Sequence, residues 1–427
     1  QNEELVPVDS APEPRHRYNL RDKASIKQPD RMTLLTEAIV LLAECAEPLT
    51  YEEAVSAADS SKWKEAMNAE IESLHANNTW TLTELPPGRQ AIDSKWVYKI
   101  KRNADGTTQR YKARLVARGF AQKAGIDYQE TFCPVVRFET IRSLLSVAAK
   151  EKLLLAQFDV TTAFLNGNLD EEIYMKQPEG FADGSNNVCK LIKSLYGLKQ
   201  APRCWNETCT SFFLSQGLKE SEADPCLYFR KSDGRKLLIA LYVDDGIIAA
   251  THQEDIDTFL QAMSNQFDIT RCGFECFLGI QVKIMQDGSI VISQNGYLKK
   301  ILERFKMDQA KLCPTPLERD LSGEDDDREL ESCMLYQAAV GSLQYLSNGT
   351  RPDITFAVNS VSKYLKSPKI KHWNMVKRIF CYLVGTMDYG ILTHLQVLQY
   401  TATQTMLETL IRGSQQVATC QFTVVVQ

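Results

Sequence analysis

The run LLIALYVDDGIIAA, from Leu237 to Ala250, constrains the fold most, because two apolar stretches meet at adjacent carboxylates, Asp244 and Asp245. Burying neighbouring aspartates as charges is costly unless a cation compensates them. A divalent metal such as Mg²⁺ is the simplest compensation, because carboxylate oxygens are its preferred hard ligands. A β-hairpin with an Asp-Gly turn between two strands is the alternative. Taken alone, the pair leaves a metal site and a plain hairpin equally open.

The composition is that of a folded chain with more than one domain. With 427 residues, 44% of them hydrophobic, the chain can bury a sizeable core. No apolar run reaches the length of a membrane span and no secretory signal is evident, so no membrane partner is expected. The 12 cysteines lack paired CxxC spacing, which argues against zinc and for reduced intracellular thiols. The first methionine is Met32, as expected for a segment of a longer polyprotein.

Charge is strongly segregated along the chain, although the net charge is only −5. Residues 89–123 hold ten Lys or Arg against Asp93 and Asp105, a local balance of +8. Residues 360–380 hold six basic and no acidic residues, whereas residues 318–331 hold eight acidic residues against two arginines. The first basic stretch suits phosphate contact and base stacking, the latter through its aromatic residues Trp96, Tyr98, Tyr111 and Phe120. A solvated charged face is the alternative for any single lysine.

Hydrophobic periodicity predicts helices alternating with antiparallel hairpins. Helices are predicted where apolar residues recur at helical spacing, at residues 63–74, 138–150, 201–216 and 256–267. Hairpin turns are predicted at Asn103–Gly106 and Gln286–Gly288. This mixture favours an α+β fold over a doubly wound sheet.

A third carboxylate stands far from the pair in sequence, at the end of another apolar strand. A site that holds two metal ions needs more carboxylates than one adjacent pair supplies. Asp159, in AQFDVTTAFLNG, fits because an apolar strand delivers a lone acid to a turn. The N-cap of a helix is its alternative role, since Asp fills that position readily.

An ordered series of motifs resembles the reverse transcriptase region of copia-type LTR retrotransposon Pol polyproteins. The motifs extend from about Asp59 to Leu392 and read WKEAMNAEIESL, KWVYKIK, YKARLVARGF, ETFCPVVR, FDVTTAFLNG, EEIYMKQPEGF, SLYGLKQAPRCW, YVDDG, FLGIQV, TPLE and VGSLQYLSNGTRPDITFAVNSVSKYL. The resemblance implies an α+β polymerase right hand of fingers, palm and thumb, then a connection-like segment and a truncated RNase H domain. It implies an RNA-directed DNA polymerase, a nucleotidyltransferase that acts in a cytoplasmic particle, the nucleus or both.

The resemblance also implies roles for individual residues. Asp159, Asp244 and Asp245 would be the catalytic carboxylates and would hold two Mg²⁺ ions, or Mn²⁺, with the backbone carbonyl of Val160. The residues implied to bind the incoming dNTP are Lys112, Arg114, Val160, Phe164, Tyr196 and Gly197. Phe164 would be the steric gate against a ribose 2′-hydroxyl, although a core aromatic role is compatible with its position.

The resemblance implies further nucleic-acid contacts. The primer grip would be formed by Phe277, Leu278, Gly279 and Ile280. The partners would be an RNA template, a DNA or RNA primer and dNTPs, and the question of a homodimer is left open.

The chain is expected to divide into five segments. They are a disordered linker at 1–50, fingers and palm at 51–285, a thumb-like segment with an acidic loop at 286–330, a connection-like segment at 331–394 and a frameshifted tail at 395–427. The tail is expected to hold no native domain, because a shifted reading frame from Gln399 permits the start of an RNase H domain. Intact carboxylates favour an active polymerase, whereas the scrambled tail and missing start favour a degenerate or co-opted remnant that binds nucleic acid without polymerising.

Overall fold

The computed structural model describes residues 47–102, 107–318, 327–330, 332–393 and 423–425. The described elements belong to the unit that begins at Pro48. The predicted linker up to residue 46, the turn predicted at Asn103–Gly106, most of the acidic loop and most of the tail lie outside the described residues.

Helices and strands are mixed along the chain. The helices are α1 (Tyr51–Ser56), α2 (Ser60–Ala76), α3 (Phe138–Glu151), α4 (Ala201–Ser215), α5 (Gln253–Ser264), α6 (Asn295–Arg304), α7 (Cys333–Gly349), α8 (Thr355–Ser362) and α9 (Ile370–Gly385). The strands are β1 (Trp80–Thr83), β2 (Ser94–Arg102), β3 (Thr108–Ala117), β4 (Leu154–Val160), β5 (Asn168–Met175), β6 (Val188–Lys193), β7 (Lys219–Glu220), β8 (Leu227–Ser232), β9 (Arg235–Tyr242), β10 (Asp245–Ala250), β11 (Ile269–Cys272), β12 (Cys276–Phe277), β13 (Ile280–Ile284), β14 (Ile290–Ser293), β15 (Gly390–Thr393) and β16 (Thr423–Val425). The paired strands are antiparallel, so the mixed α and β fold is as predicted.

The N-terminal elements share one core. Strands β2 and β3 form a hairpin, and a second sheet has the order β1-β6-β5. Helix α2 packs on these strands with Trp63, Met67 and Leu74 buried, as their helical spacing predicts.

The six-stranded sheet, ordered β11-β4-β10-β9-β8-β7, carries the three aspartates of interest. Its central strands are buried on both faces. Ile247 and Ala249 face one core with α3, whereas Ile248 and Ala250 face another with α4 and α5. Because successive side chains of a strand point to opposite faces, burial on both sides explains the unbroken apolar run after the aspartate pair.

The described residues after β11 form a five-stranded sheet and four helices. The sheet has the order β12-β13-β14-β15-β16, and its residues Phe277 and Ile292 join the α3 core. Helices α6 to α9 pack on one another in a separate core. Strand β16 lies in the stretch expected to hold no native domain, and its backbone pairs with β15.

The helices predicted from periodicity are present as α2, α3, α4 and α5. The prediction for α5 runs too far, because Phe267 is buried in the loop after the helix rather than within it. The turn predicted at Gln286–Gly288 is confirmed between β13 and β14. In the described part of the chain no disulfide forms among the cysteines, and no helix is both long and apolar enough to cross a bilayer.

Candidate active site

Three carboxylates converge at one end of the six-stranded sheet. Asp159 is the penultimate residue of β4, Asp245 is the first residue of β10, and Asp244 lies in the turn before it. The strand register pairs Asp159 directly with Asp245. One oxygen from each of the three side chains lies within 4.8 Å of the other two. The strand position predicted for Asp159 is confirmed, and the alternative of a helix N-cap is wrong.

The turn between β9 and β10 is the two-residue loop Val243–Asp244, because the strands pair up to the residues on either side of it. Val243 has a φ of +58°, which is strained for a β-branched residue. The Trp205 Nε1–H donates to the Val243 carbonyl at 2.7 Å, and the Val160 N–H donates to the Asp244 carbonyl at 2.9 Å. The predicted hairpin between the two apolar stretches is therefore confirmed. The predicted Asp-Gly turn is wrong, because Asp245 and Gly246 lie in β10.

Gly246 lies inside β10, at a position where only glycine fits. It pairs with Phe158 on β4, and an added Cβ would lie 2.1 Å from the ring carbon Cζ of Phe158. Phe158 is fully buried and packed on Phe259, so the ring has little room to move. The glycine of YVDDG is thus explained by close packing next to Asp245, and not by a turn.

The adjacent carboxylates of Asp244 and Asp245 both resist ionisation. Burial, followed by the charges of Asp244 and Asp159, raises the pKa of Asp245 to about 6. Burial also raises the pKa of Asp244, with a contribution from Asp159, and the cations Arg114 and Lys112 oppose this rise. The arrangement therefore favours a bound positive charge at neutral pH.

The donor set fits a hard divalent cation. Within the described residues, no lysine or arginine forms an ion pair with any of the three aspartates. Three partly buried carboxylates without such a partner match the oxygen ligands that Mg²⁺ takes in proteins. The cluster could hold a metal ion, with Asp159, Asp244 and Asp245 as its ligands.

One face of the β2–β3 hairpin is cationic. The register places Lys99 opposite Lys112 and Lys101 opposite Arg110, and Arg114 alternates onto the same face of β3 as Lys112. Like charges directly opposite one another destabilise a sheet, so an anion bound on this face stabilises it. Burial, followed by the neighbouring Arg114, lowers the pKa of Lys112. The predicted basic stretch thus presents several cations on one surface.

The aromatic residues of this stretch do not all share that surface. Trp96 and Tyr98 are each only 4% exposed, because they alternate onto the core face of β2. The prediction that they stack on bases is therefore wrong. Tyr111 packs against Trp63 with 4.6 Å between ring centroids, whereas Phe120 is 75% exposed. Only Phe120 of the four is well exposed.

Two aromatic rings lie beside Arg114. The Arg114 guanidinium lies over the Tyr196 ring, 4.7 Å from the centroid, and the Phe164 ring meets the Tyr196 ring edge-on, with 4.9 Å between centroids. Gly197 follows with a φ of +91°, and an added Cβ would lie 2.1 Å from the Ala117 carbonyl oxygen. This close approach brings the loop at Tyr196 against β3. Four of the residues predicted to bind the nucleotide are thereby in one place.

Comparison with known proteins decides the family. The reverse transcriptase (RNA-dependent DNA polymerase) family matches residues 77–319, more than half of the chain. The chain belongs to this family. The Retrovirus-related Pol polyprotein from transposon TNT 1-94 of Nicotiana tabacum is 42% identical over 81% of the chain and 27% of its own length. The corresponding polyproteins from transposons RE2 and RE1 of Arabidopsis thaliana are 37% and 38% identical, over 89% and 90% of the chain and 26% of their own lengths.

The resemblance to copia-type Pol polyproteins is confirmed by these relatives. This reverse transcriptase chain spans about a quarter of the length of the curated relatives that it matches.

The predicted primer-grip residues of the reverse transcriptase form a hairpin in the five-stranded sheet, not in the sheet that carries the carboxylates. Phe277 pairs with Ile280 across the two-residue loop Leu278–Gly279, whose φ values are +49° and +73°. Positive φ at both central residues is typical of a type I′ turn. The Tyr345 hydroxyl donates to the Leu278 carbonyl. Phe277 and Ile280 share a core with Ile247, two residues after Asp245, which links this hairpin to the carboxylate strand.

Two buried polar residues near the site escape the sequence patterns. Glu70 on α2 accepts a hydrogen bond from the Leu115 N–H at 3.2 Å, and burial raises its pKa against the pull of Arg114 and Lys112. Its place on the buried stripe of α2 is a signal that could have revealed it. Gln157, two residues before Asp159, is buried and its side-chain hydrogen bond opposes the rise in the pKa of Asp245. No sequence pattern indicates that pairing, because it depends on strand register.

Proposed function

We propose that this chain is an RNA-directed DNA polymerase that copies the RNA of a copia-type element into DNA by two-metal nucleotidyl transfer. The observation that carries the proposal is the pairing of Asp159 with Asp245, beside Asp244, at the end of a buried antiparallel sheet. Like charges directly opposite in a sheet are unfavourable, so the arrangement makes physical sense when it binds cations.

The three aspartates and the backbone carbonyl of Val160 would hold two Mg²⁺ ions, with Mn²⁺ as a substitute. Bound there, the ions would activate the primer 3′-hydroxyl and neutralise charge on the departing pyrophosphate. The protein groups orient the reactants around this centre and exclude the wrong sugar.

The nucleotide pocket is assigned to the cations and aromatics beside the carboxylates. Lys112 and Arg114 would bind the triphosphate, Arg114 as a planar fork and Lys112 as a point charge. Phe164 would exclude a ribose 2′-hydroxyl, and Tyr196 with Gly197 would line the base and sugar. The contact of Arg114 with Tyr196 and of Tyr196 with Phe164 supports a single pocket.

The right-hand subdomains follow from the same assignment. The six-stranded sheet with α3, α4 and α5 would be the palm, and the sheets packed on α2 would be the fingers, within residues 51–285. Residues 286–330, including α6, would be the thumb-like segment, and 331–394 the connection-like segment. Residues 277–280 would grip the primer, and residues 395–427 would be a frameshifted tail with no native domain. The partners would be an RNA template, a primer and dNTPs.

The test is extension of a DNA primer on an RNA template with Mg²⁺. We expect extension by the parent chain and its loss in Asp244→Asn. Asp233→Asn is the matched control, because Asp233 lies in the neighbouring β8–β9 turn with a φ of +46° that asparagine tolerates. Extension that survives Asp244→Asn would refute the assignment. A folded parent chain that binds the template-primer but never extends it would favour the second candidate, a co-opted or degenerate remnant.

A further inference from the structure

Helix α9 carries a charged face that the polymerase assignment leaves unused. Lys371 and Arg378 are seven residues apart and share one side of the helix, about 10 Å apart along its axis. Each pairs with an acid from the preceding acidic stretch. The Lys371 ammonium lies 2.7 Å from an Asp327 carboxylate oxygen, and the Arg378 guanidinium forms an ion pair with Glu318. Lys369 also contacts Asp327, at 3.1 Å.

The backbone fixes Asp327 beside these cations independently of charge. The Ile370 N–H donates to the Arg328 carbonyl at 3.0 Å, and the Leu330 N–H donates to the Pro368 carbonyl at 3.1 Å. The residues just after Asp327 are thereby held against the start of α9. The fold itself therefore keeps an acid next to two lysines.

Further cations lie beside the same end of α9. The Tyr364 ring stacks on His372 with 3.6 Å between centroids and 11° between planes. This stacking brings the turn with the exposed Lys363 and Lys366 next to the start of the helix. The α9 basic face is defined by Lys363, Lys366, Lys369, Lys371 and Arg378.

We propose that the α9 basic face binds the phosphates of the template-primer and that Asp327 and Glu318 compete with them as built-in counterions. The choice of nucleic acid as the partner rests on the proposed function. The face lies in a stretch with six basic and no acidic residues, which suits a polyanion. All of these ion pairs have partly or largely exposed members, so phosphates can replace the carboxylates at little cost. The contact carries no sequence preference.

The test is binding of a labelled RNA–DNA hybrid to the full chain by fluorescence anisotropy, without dNTPs, over a range of salt concentrations. Lys371→Gln with Arg378→Gln should weaken binding and lower the slope of log affinity against log salt by about one per cation. Asp327→Asn with Glu318→Gln should instead tighten binding, because two competing charges are removed. Lys363→Gln with Lys366→Gln provides a second loss-of-charge variant at exposed positions, where folding is not at risk.

The control is Lys219→Gln with Lys231→Gln, which removes the same charge from exposed positions on β7 and β8. The proposal is overturned if the α9 variants bind like this control, or if removing the two acids leaves the affinity unchanged. Failure of the polymerase assignment gives a different result. In that case the parent chain does not extend a primer, yet the α9 variants still shift hybrid affinity in opposite directions.

Discussion

The ionised carboxylate of Asp245 destabilises the metal-free fold at neutral pH, although the proposed metal site uses it as a ligand. Its pKa is raised from an ordinary 3.8 to about 6, so the folded chain holds the proton more tightly than the unfolded chain. The stabilisation from this proton is complete below about pH 3.8 and is lost as pH rises through about 6. At neutral pH the metal-free chain therefore carries an unfavourable charge that a divalent cation relieves.

We expect Asp245→Asn to stabilise the metal-free chain at pH 7.5 by roughly 1–2 kcal/mol, after allowance for solvent screening, and by about half as much at pH 5, which lies midway through the titration window. Mg²⁺ should stabilise the parent chain more than the variant. Urea unfolding with EDTA or Mg²⁺ at both pH values measures these differences. The exposed Asp170→Asn serves as the control. An equal effect of Asp245→Asn at both pH values would contradict the linkage.

Phe164 makes the sugar-selectivity prediction. Its ring meets Tyr196 edge-on in the proposed pocket, so Phe164→Ala opens space there. We expect the ratio of kcat/KM for dNTP over rNTP to fall by about tenfold or more. Phe164→Tyr keeps the bulk of the ring and should retain the parent ratio. Unchanged selectivity in Phe164→Ala would leave Phe164 as a core residue only.

The residues that sequence could reveal are those whose chemistry contrasts with their surroundings. Asp159, Asp244 and Asp245 interrupt apolar strands, and that contrast predicts a buried charge. Glu70 contrasts less with its surroundings, because only its place on the buried stripe of α2 distinguishes it from a solvated glutamate. The prediction that Trp96 stacks on bases was wrong for a further reason. Aromatic residues and lysines that alternate along a strand point to opposite faces of the sheet.

At the scale of elements, the β12–β13 hairpin yields a prediction about the primer. Tyr345→Phe removes the hydroxyl that donates to the Leu278 carbonyl, while the ring keeps its contacts with Tyr297 and Phe138. The loss of one hydrogen bond should loosen the turn and weaken template-primer binding by roughly 2- to 10-fold. The KM for dNTPs should not change.

Steady-state extension with varied template-primer or varied dNTP separates the two constants. Tyr297→Phe is the matched control, because the Tyr297 hydroxyl donates instead to the Ser342 carbonyl at 3.3 Å. A higher KM for dNTPs with unchanged primer affinity would contradict the primer-grip assignment.

Helices were predictable from sequence where apolar residues recur with one regular spacing. Helices α2, α3 and α4 bury regular apolar stripes, so their positions follow from spacing alone. The turn in YVDD did not follow, because tertiary hydrogen bonds from Trp205 and Val160 hold a strained Val243 that local preference disfavours. Register, which joins Asp159 to Asp245, is a long-range property that no local pattern contains.

At the scale of the whole molecule, local charge and net charge lead to opposite predictions about nucleic-acid binding. A net charge of −5 would repel nucleic acid, whereas the cationic face of β2–β3 should attract it. Bound phosphate relieves the repulsion within this face, where burial and then the charges of Arg114, Lys101 and Arg110 lower the pKa of Lys112. Local charge should therefore govern binding.

We expect template-primer affinity to fall steeply with salt, by about 10³-fold or more between about 50 and 200 mM if six or more phosphates are contacted. Lys101→Gln with Arg110→Gln, which removes one facing pair, should weaken binding and lower the salt slope by about two. Lys219→Gln with Lys231→Gln makes the net charge equally more negative and should leave both quantities nearly unchanged. Anisotropy titrations across this salt range measure both quantities. Equal effects of the two double variants would mean that net charge, and not local charge, controls binding.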